Sequence, residues 1–176
     1  MAPTPNPNDH PLRVIGIDPG TREIGYAVLE GERLEAFGVY TIAYGVSVAR
    51  VFQKTEAFIS TILERIQPHV VAIECAIPAP SRRAALLWVL VGELKRAAWR
   101  RNLRVLSYYP THVKKVITGN GHATKHELAA TLVQRYPELT RYRTDDGNQI
   151  HWEHMFDALA VALVANRETA SESTES

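Results

Sequence analysis

Between Val14 and Glu30 the chain reads VIGIDPGTREIGYAVLE, two apolar stretches separated by a Pro-Gly turn, with one aspartate, Asp18, closing the first of them. β-Branched and aromatic residues on both sides of such a turn read as paired strands. RLEAFGVYTI, after the short turn GE, adds a third strand to an antiparallel meander. A carboxylate taken out of water is costly unless something of opposite charge or a hydrogen-bond donor faces it. The fold must therefore bring a partner to the end of its first strand.

After the meander the period of the apolar residues changes. Over residues 46–66, Val48, Val51, Phe52, Phe58, Ile59, Ile62, Leu63 and Ile66 recur near helical spacing, and Pro68 follows the stop. HVVAIEC is a short strand without strict alternation, as expected where both faces are covered. A helix over 81–101, a strand in LRVLSYY, two shorter helices around THVKKVI and KHELAATLVQRY, and a last helix over 151–167 complete the chain. Three antiparallel strands followed by helix, strand, helix, strand and helices predict an α/β fold with a mixed five-stranded sheet and helices on both faces.

A chain of 176 residues suits one core. The first eleven residues hold four prolines and almost nothing apolar, and ETASESTES at the other end is small and polar. Both are expected to be disordered tails, 1–11 and 168–176, flanking one domain over 12–167. No run approaches a membrane span, and the Pro-rich start has neither the basic nor the apolar segment of a signal peptide, so a cytoplasmic protein is expected. The lone cysteine, Cys75, excludes a disulfide within the chain and is expected as a small core residue on the face opposite Glu74. The near-neutral net charge of +1 conceals a segregation. Residues 81–143 carry 13 Lys or Arg against 3 Asp or Glu, in an otherwise acidic chain, which favours a polyanion as partner.

Asp18 and Glu74 each end a strand, and on neighbouring strands their carboxylates would emerge together at one sheet edge. Like charges are tolerated there when a divalent cation lies between them, and oxygen ligands suit Mg²⁺ or Mn²⁺. The last helix, HWEHMFDALAVALVANR, places Asp157 in the middle of an apolar face of Trp152, Met155, Phe156, Leu159, Leu163 and Val164. His154 and Glu153, three and four residues before it, can share its face.

IGIDPGTREIGYAVLE, VVAIECAIPAP, PTHVKKVITGNGHATKHEL and HMFDALAVAL resemble, in order and spacing, four blocks of the bacterial RuvC family of Holliday-junction resolvases. The resemblance implies an RNase H-like fold, a homodimer, and a metal-dependent endonuclease that makes paired, symmetric nicks in four-way DNA junctions during recombination and repair. It also implies RuvA and RuvB as branch-migration partners. Carried over by position, the acidic cluster falls on Asp18, Glu74 and Asp157. The fourth ligand falls on His154, where many members have aspartate, with Glu153 as competitor. The family's lysines fall on Lys114 and Lys125. Its junction-opening aromatic falls on Ile77, which is aliphatic here.

On this reading two ions activate water and neutralise the leaving oxygen. Asp18 bridges them in place of any side-chain partner, Glu74 and Asp157 complete one each, and His154 is a nitrogen ligand or nearby base. Lys125 holds or protonates near the scissile phosphate, and Lys114 fixes the strand. Arg82, Arg83 and residues 95–101 are expected to carry DNA between two sites. The helix over 81–101, apolar from Ala84 to Val91, is expected to bury its spare face against a second chain. The alternatives are another RNase H-like nuclease acting on structured RNA, or an actin-like ATP-binding domain, since GIDPGT also resembles a phosphate loop.

Overall fold

The computed structural model describes residues 11–75, 80–143 and 150–174. Three strands come first, β1 (Arg13–Asp18), β2 (Glu23–Glu30) and β3 (Arg33–Thr41). They are followed by α1 (Val48–Ile66), β4 (Val70–Glu74), α2 (Arg82–Trp99) and β5 (Arg104–Tyr108). Then come α3 (Pro110–Thr118), α4 (Lys125–Arg135), a 3₁₀ segment (Pro137–Tyr142) and α5 (Ile150–Thr174). Local chemistry sets several starts. Ser47 and Ser81 accept hydrogen bonds from the Arg50 and Ala84 amides at the first turns of α1 and α2. Thr124 and Glu127 form a reciprocal capping box on α4. Pro110 opens α3, and Gly119, at a φ of 80°, ends it.

The sheet order is β3-β2-β1-β4-β5, antiparallel through β1 and parallel from β1 to β5. The mixed five-stranded sheet is therefore as expected, and helices cover both faces. Alternation along β1 and β4 divides two cores. Ile15, Ile17, Val71 and Ile73 join α1 and α2, while Val14, Val70 and Ala72 join α3, α4 and α5. Asp18 and Glu74 belong to the second set by parity, so both carboxylates leave the sheet on the α5 side. Cys75 takes the other side, beside Trp88 and Val91 of α2, but it is only half-buried and not the core residue expected.

α5 crosses the sheet unusually closely. A Cβ on Gly16 of β1 would run into the Ala158 carbonyl, and one on Gly25 of β2 would run into the His154 carbonyl. Glycine inside a strand marks this kind of close backbone approach. α5 is buried from Met155 to Asn166 and does not end near Arg167. It runs to Thr174, through most of the stretch expected as a tail, because Glu168 bonds Tyr108 and Glu172 pairs with Arg104 of β5. These tertiary contacts give the polar turns something to hold. The expected tail over 1–11 and Ile77 fall outside the described residues, apart from Pro11. No described helix is long and apolar enough to cross a membrane.

Candidate active site

The parallel pairing of Ile17 with Ile73 brings Asp18 and Glu74 side by side at the carboxyl ends of β1 and β4. α5, seated on Gly16 and Gly25, delivers His154 and Asp157 to the same edge. One cavity of about 270 Å³ is lined by Asp18, Glu74, His154, Asp157, Lys114 and Lys125. Arg83 and Leu87 of α2 stand in its wall, as do Pro110, Val113 and Leu128. The predicted ligands and both predicted lysines thus meet in one place. Arg82 does not line this cavity; it faces a neighbouring surface with Thr21, Val48 and Phe52.

Charge decides how these groups are paired. His154 Nδ1 lies 2.5 Å from Asp18 Oδ2, and its Nε2 lies 3.8 Å from Glu23. The hydrogen bond to Asp18 raises the imidazole pKa, outweighing burial. As placed, Asp18 has a side-chain partner, because the turn of α5 over Gly25 carries the imidazole directly to it. Lys125 Nζ donates to Glu153 at 2.8 Å and lies 3.3 Å from Asp157 Oδ2. Glu153 and His154, competitors for one role in the sequence, thus face different groups. Adjacent residues on a helix diverge by about 100°, so only tertiary placement could separate them.

Burial first, and then the charges of Asp18 and Asp157, push the Glu74 carboxyl well above the ordinary carboxylate range. Burial and Asp18 also raise Asp157, against the opposing pull of Lys125. Burial alone would lower the Lys125 pKa, but Asp157 and Glu153 outweigh it and the net shift is upward. A lysine held this firmly protonated is a fixed charge at neutral pH, and a poor proton donor.

Among the described residues, no three His, Cys, Asp or Glu side chains are arranged to share one ion as placed. The donor chemistry nevertheless fits a hard divalent cation. Three carboxylates and an imidazole face one cavity, two of the carboxyls are destabilised as anions by their neighbours, and added positive charge would relieve both.

Glu23, Arg83 and the Pro19-Gly20-Thr21 turn were not marked in the sequence as lining or flanking this site, apart from Arg83 as a DNA contact. The isolated glycines at 16 and 25 were the signal that a helix would cross there.

The family model for crossover junction endodeoxyribonuclease RuvC matches residues 14–165. The crossover junction endodeoxyribonuclease RuvC of Hydrogenovibrio crunogenus is 31% identical over 160 residues, covering 88% of this chain and 87% of that protein. The Thermus thermophilus RuvC structure superposes with a TM-score of 0.73 at 25% identity, covering 91% of this chain and 97% of that one. The Thermus thermophilus protein in complex with a Holliday junction substrate gives 0.72 at 23% identity, covering 90% of this chain and 96% of that one.

Proposed function

This chain belongs to the RuvC family of crossover junction endodeoxyribonucleases, and we propose that it resolves four-way DNA junctions with a divalent-metal site built from Asp18, Glu74, Asp157 and His154. The alternatives of a structured-RNA nuclease and an actin-like ATP-binding domain are not favoured. The observation that carries the assignment of residues is the convergence of three carboxylates, from β1, β4 and α5, on one cavity.

The donor set suits Mg²⁺ or Mn²⁺, with two ions per site on this reading. When bound, such ions supply Lewis acidity that makes water nucleophilic at neutral pH and offsets charge on the leaving oxygen. Metal binding would replace the present contacts of Asp18 with His154 and of Asp157 with Lys125. Released from Asp157, the Lys125 ammonium would hold a scissile phosphate or protonate near it. Lys114 and Arg83 face the same cavity from other sides and orient the strand. Leu87, Val113 and Leu128 give it apolar walls that strengthen these charge interactions.

Two cuts of like polarity need two sites. We infer a homodimer formed on the open face of α2, where Trp88 and Val89 are each 51% exposed and Trp99 is 57% exposed. RuvA and RuvB, as branch-migration partners, rest on family membership alone.

The test is divalent-metal-dependent cleavage of a synthetic four-way junction beside a linear duplex and a structured RNA. Paired symmetric nicks in the junction alone are expected. Preferential RNA cleavage, or activity that survives Asp18→Asn, overturns the proposal.

A further inference from the structure

We propose that Glu168 and Tyr108, with His112, form a latch that sets the position of α3 and thereby of Lys114 in the cavity. The inference rests on the nuclease reading for Lys114, and on geometry for the latch itself. α3 is nine residues long, and the residue at its N-cap, Tyr109, makes no side-chain cap. Isolated helices of this length are marginal in water. Only Val113 of α3 is buried, yet Pro110, Val113 and Lys114 all line the catalytic cavity. Something outside α3 must fix it.

The last turns of α5 are placed to do so. The Tyr108 hydroxyl, at the end of β5, donates to Glu168 Oε2 at 2.7 Å. The other oxygen of Glu168 lies 3.3 Å from His112 Nε2, in the first turn of α3. The His112 ring stacks on Tyr108 with an interplanar angle of 8° and centroids 5.8 Å apart. One carboxylate thus spans the corner from β5 into α3, and Arg104 paired with Glu172 holds the same turns of α5 against β5. His112 and Glu168 are partly exposed and their contact is worth little by itself. Tyr108 is only 8% exposed, and a buried hydroxyl left without a partner is costly, so its bond to Glu168 is the strong member. Burial and the carboxylate together raise the Tyr108 pKa, which keeps the hydroxyl a donor.

Tyr108→Phe removes the donated bond and keeps the stacking ring, while Glu168→Gln keeps an acceptor and should behave like the parent. Tyr108→Phe and Glu168→Ala are expected to lower junction cleavage at saturating DNA by up to about a hundredfold, the loss a displacement of about 1 Å can cause. The deciding measurement is a double-mutant cycle with Lys114→Ala. If the latch acts through Lys114, Tyr108→Phe costs nothing further in that background. An equal loss in both backgrounds means a general structural role and overturns the proposal, as does no loss in the single variants. Hydrogen exchange reads the latch without activity. Amides of α3 should exchange faster in Tyr108→Phe while those of α4 do not change, and equal rates in α3 reject the latch. Should the parent protein fail to cut junctions, the nuclease reading falls, and exchange alone decides whether the latch positions α3.

Discussion

α5 and α2 carry similar apolar runs, ALAVALVA in one and AALLWVLV in the other, yet the fold treats them oppositely. α5 is buried on every side from Met155 to Asn166, by the sheet on one side and by α3 and α4 on the other. α2 packs on α1 and β5, and leaves Trp88, Val89 and Trp99 about half exposed. The difference lies in side-chain size and in what each helix meets. Alanines at 158 and 162 let α5 approach a sheet whose glycines give way to it, so its one buried charge, Asp157, is driven to the strand ends. α2 carries Trp and Leu in the corresponding run, and among the described residues its remaining face, with Trp88, Val89 and Trp99, stays open. On the proposed function, an apolar helix serves catalysis in one place and offers a surface for a partner in the other.

The largest effect should come from α5's charge. Asp157→Asn is expected to cut junction cleavage by at least about a hundredfold, since outer partners of metal ligands already cost that much. Junction affinity at fixed salt should persist, because phosphate contacts dominate it. Parallel loss of binding, read by gel shift, would make Asp157 structural.

The close approach can be broken from the sheet side. Gly25→Ala pushes a methyl into the His154 carbonyl and should cost about 3 kcal/mol in urea unfolding, the upper range for overpacking. Gly92→Ala in α2, where nothing lies within 4 Å of the added methyl, should have the opposite sign, a gain of up to about 1 kcal/mol. Equal costs at both positions would dissolve the contrast between the helices.

On the partner side, Trp88→Ala should weaken self-association by about 2 kcal/mol if Trp88 is a central anchor of the dimer. Sedimentation across micromolar concentrations measures it, and an unchanged monomer–dimer balance would move the interface elsewhere.

The smallest change is expected at Glu74. Burial and the like charges of Asp18 and Asp157 disfavour its anion, so Glu74→Gln should stabilise the protein in chelator by about 0.5–1 kcal/mol while removing activity. Thermal unfolding with and without chelator checks the sign.

Much of this organisation was legible before any coordinates. The strands were bounded by Pro, Gly and a change of period, and the observed ends fall within a few residues of those expected, except at the end of α5. Asp18 and Glu74 could be placed together on the condition that their strands are neighbours, because each ends a strand, and the adjacency of β1 and β4 came from the sheet order. The end of α5 was not legible, since Glu, Ser and Thr carry the same local signal in a tail as in a helix tied down by Tyr108 and Arg104. Nor could Glu153 be separated from His154, or Arg83 from Arg82, as helical neighbours differ in function only through what lies opposite them.

The sequence by itself determined the order of elements, the sheet with covered faces, and which carboxylates end which strands, because these depend on periodicity and turn chemistry within a few residues. Tertiary structure alone decided that Asp18 pairs with His154 and that Lys125 lies between Glu153 and Asp157. The first of these depends on how closely one backbone can approach another across 136 residues of chain. Gly16 and Gly25 permit that approach, but only the packed helix shows which residue uses the space.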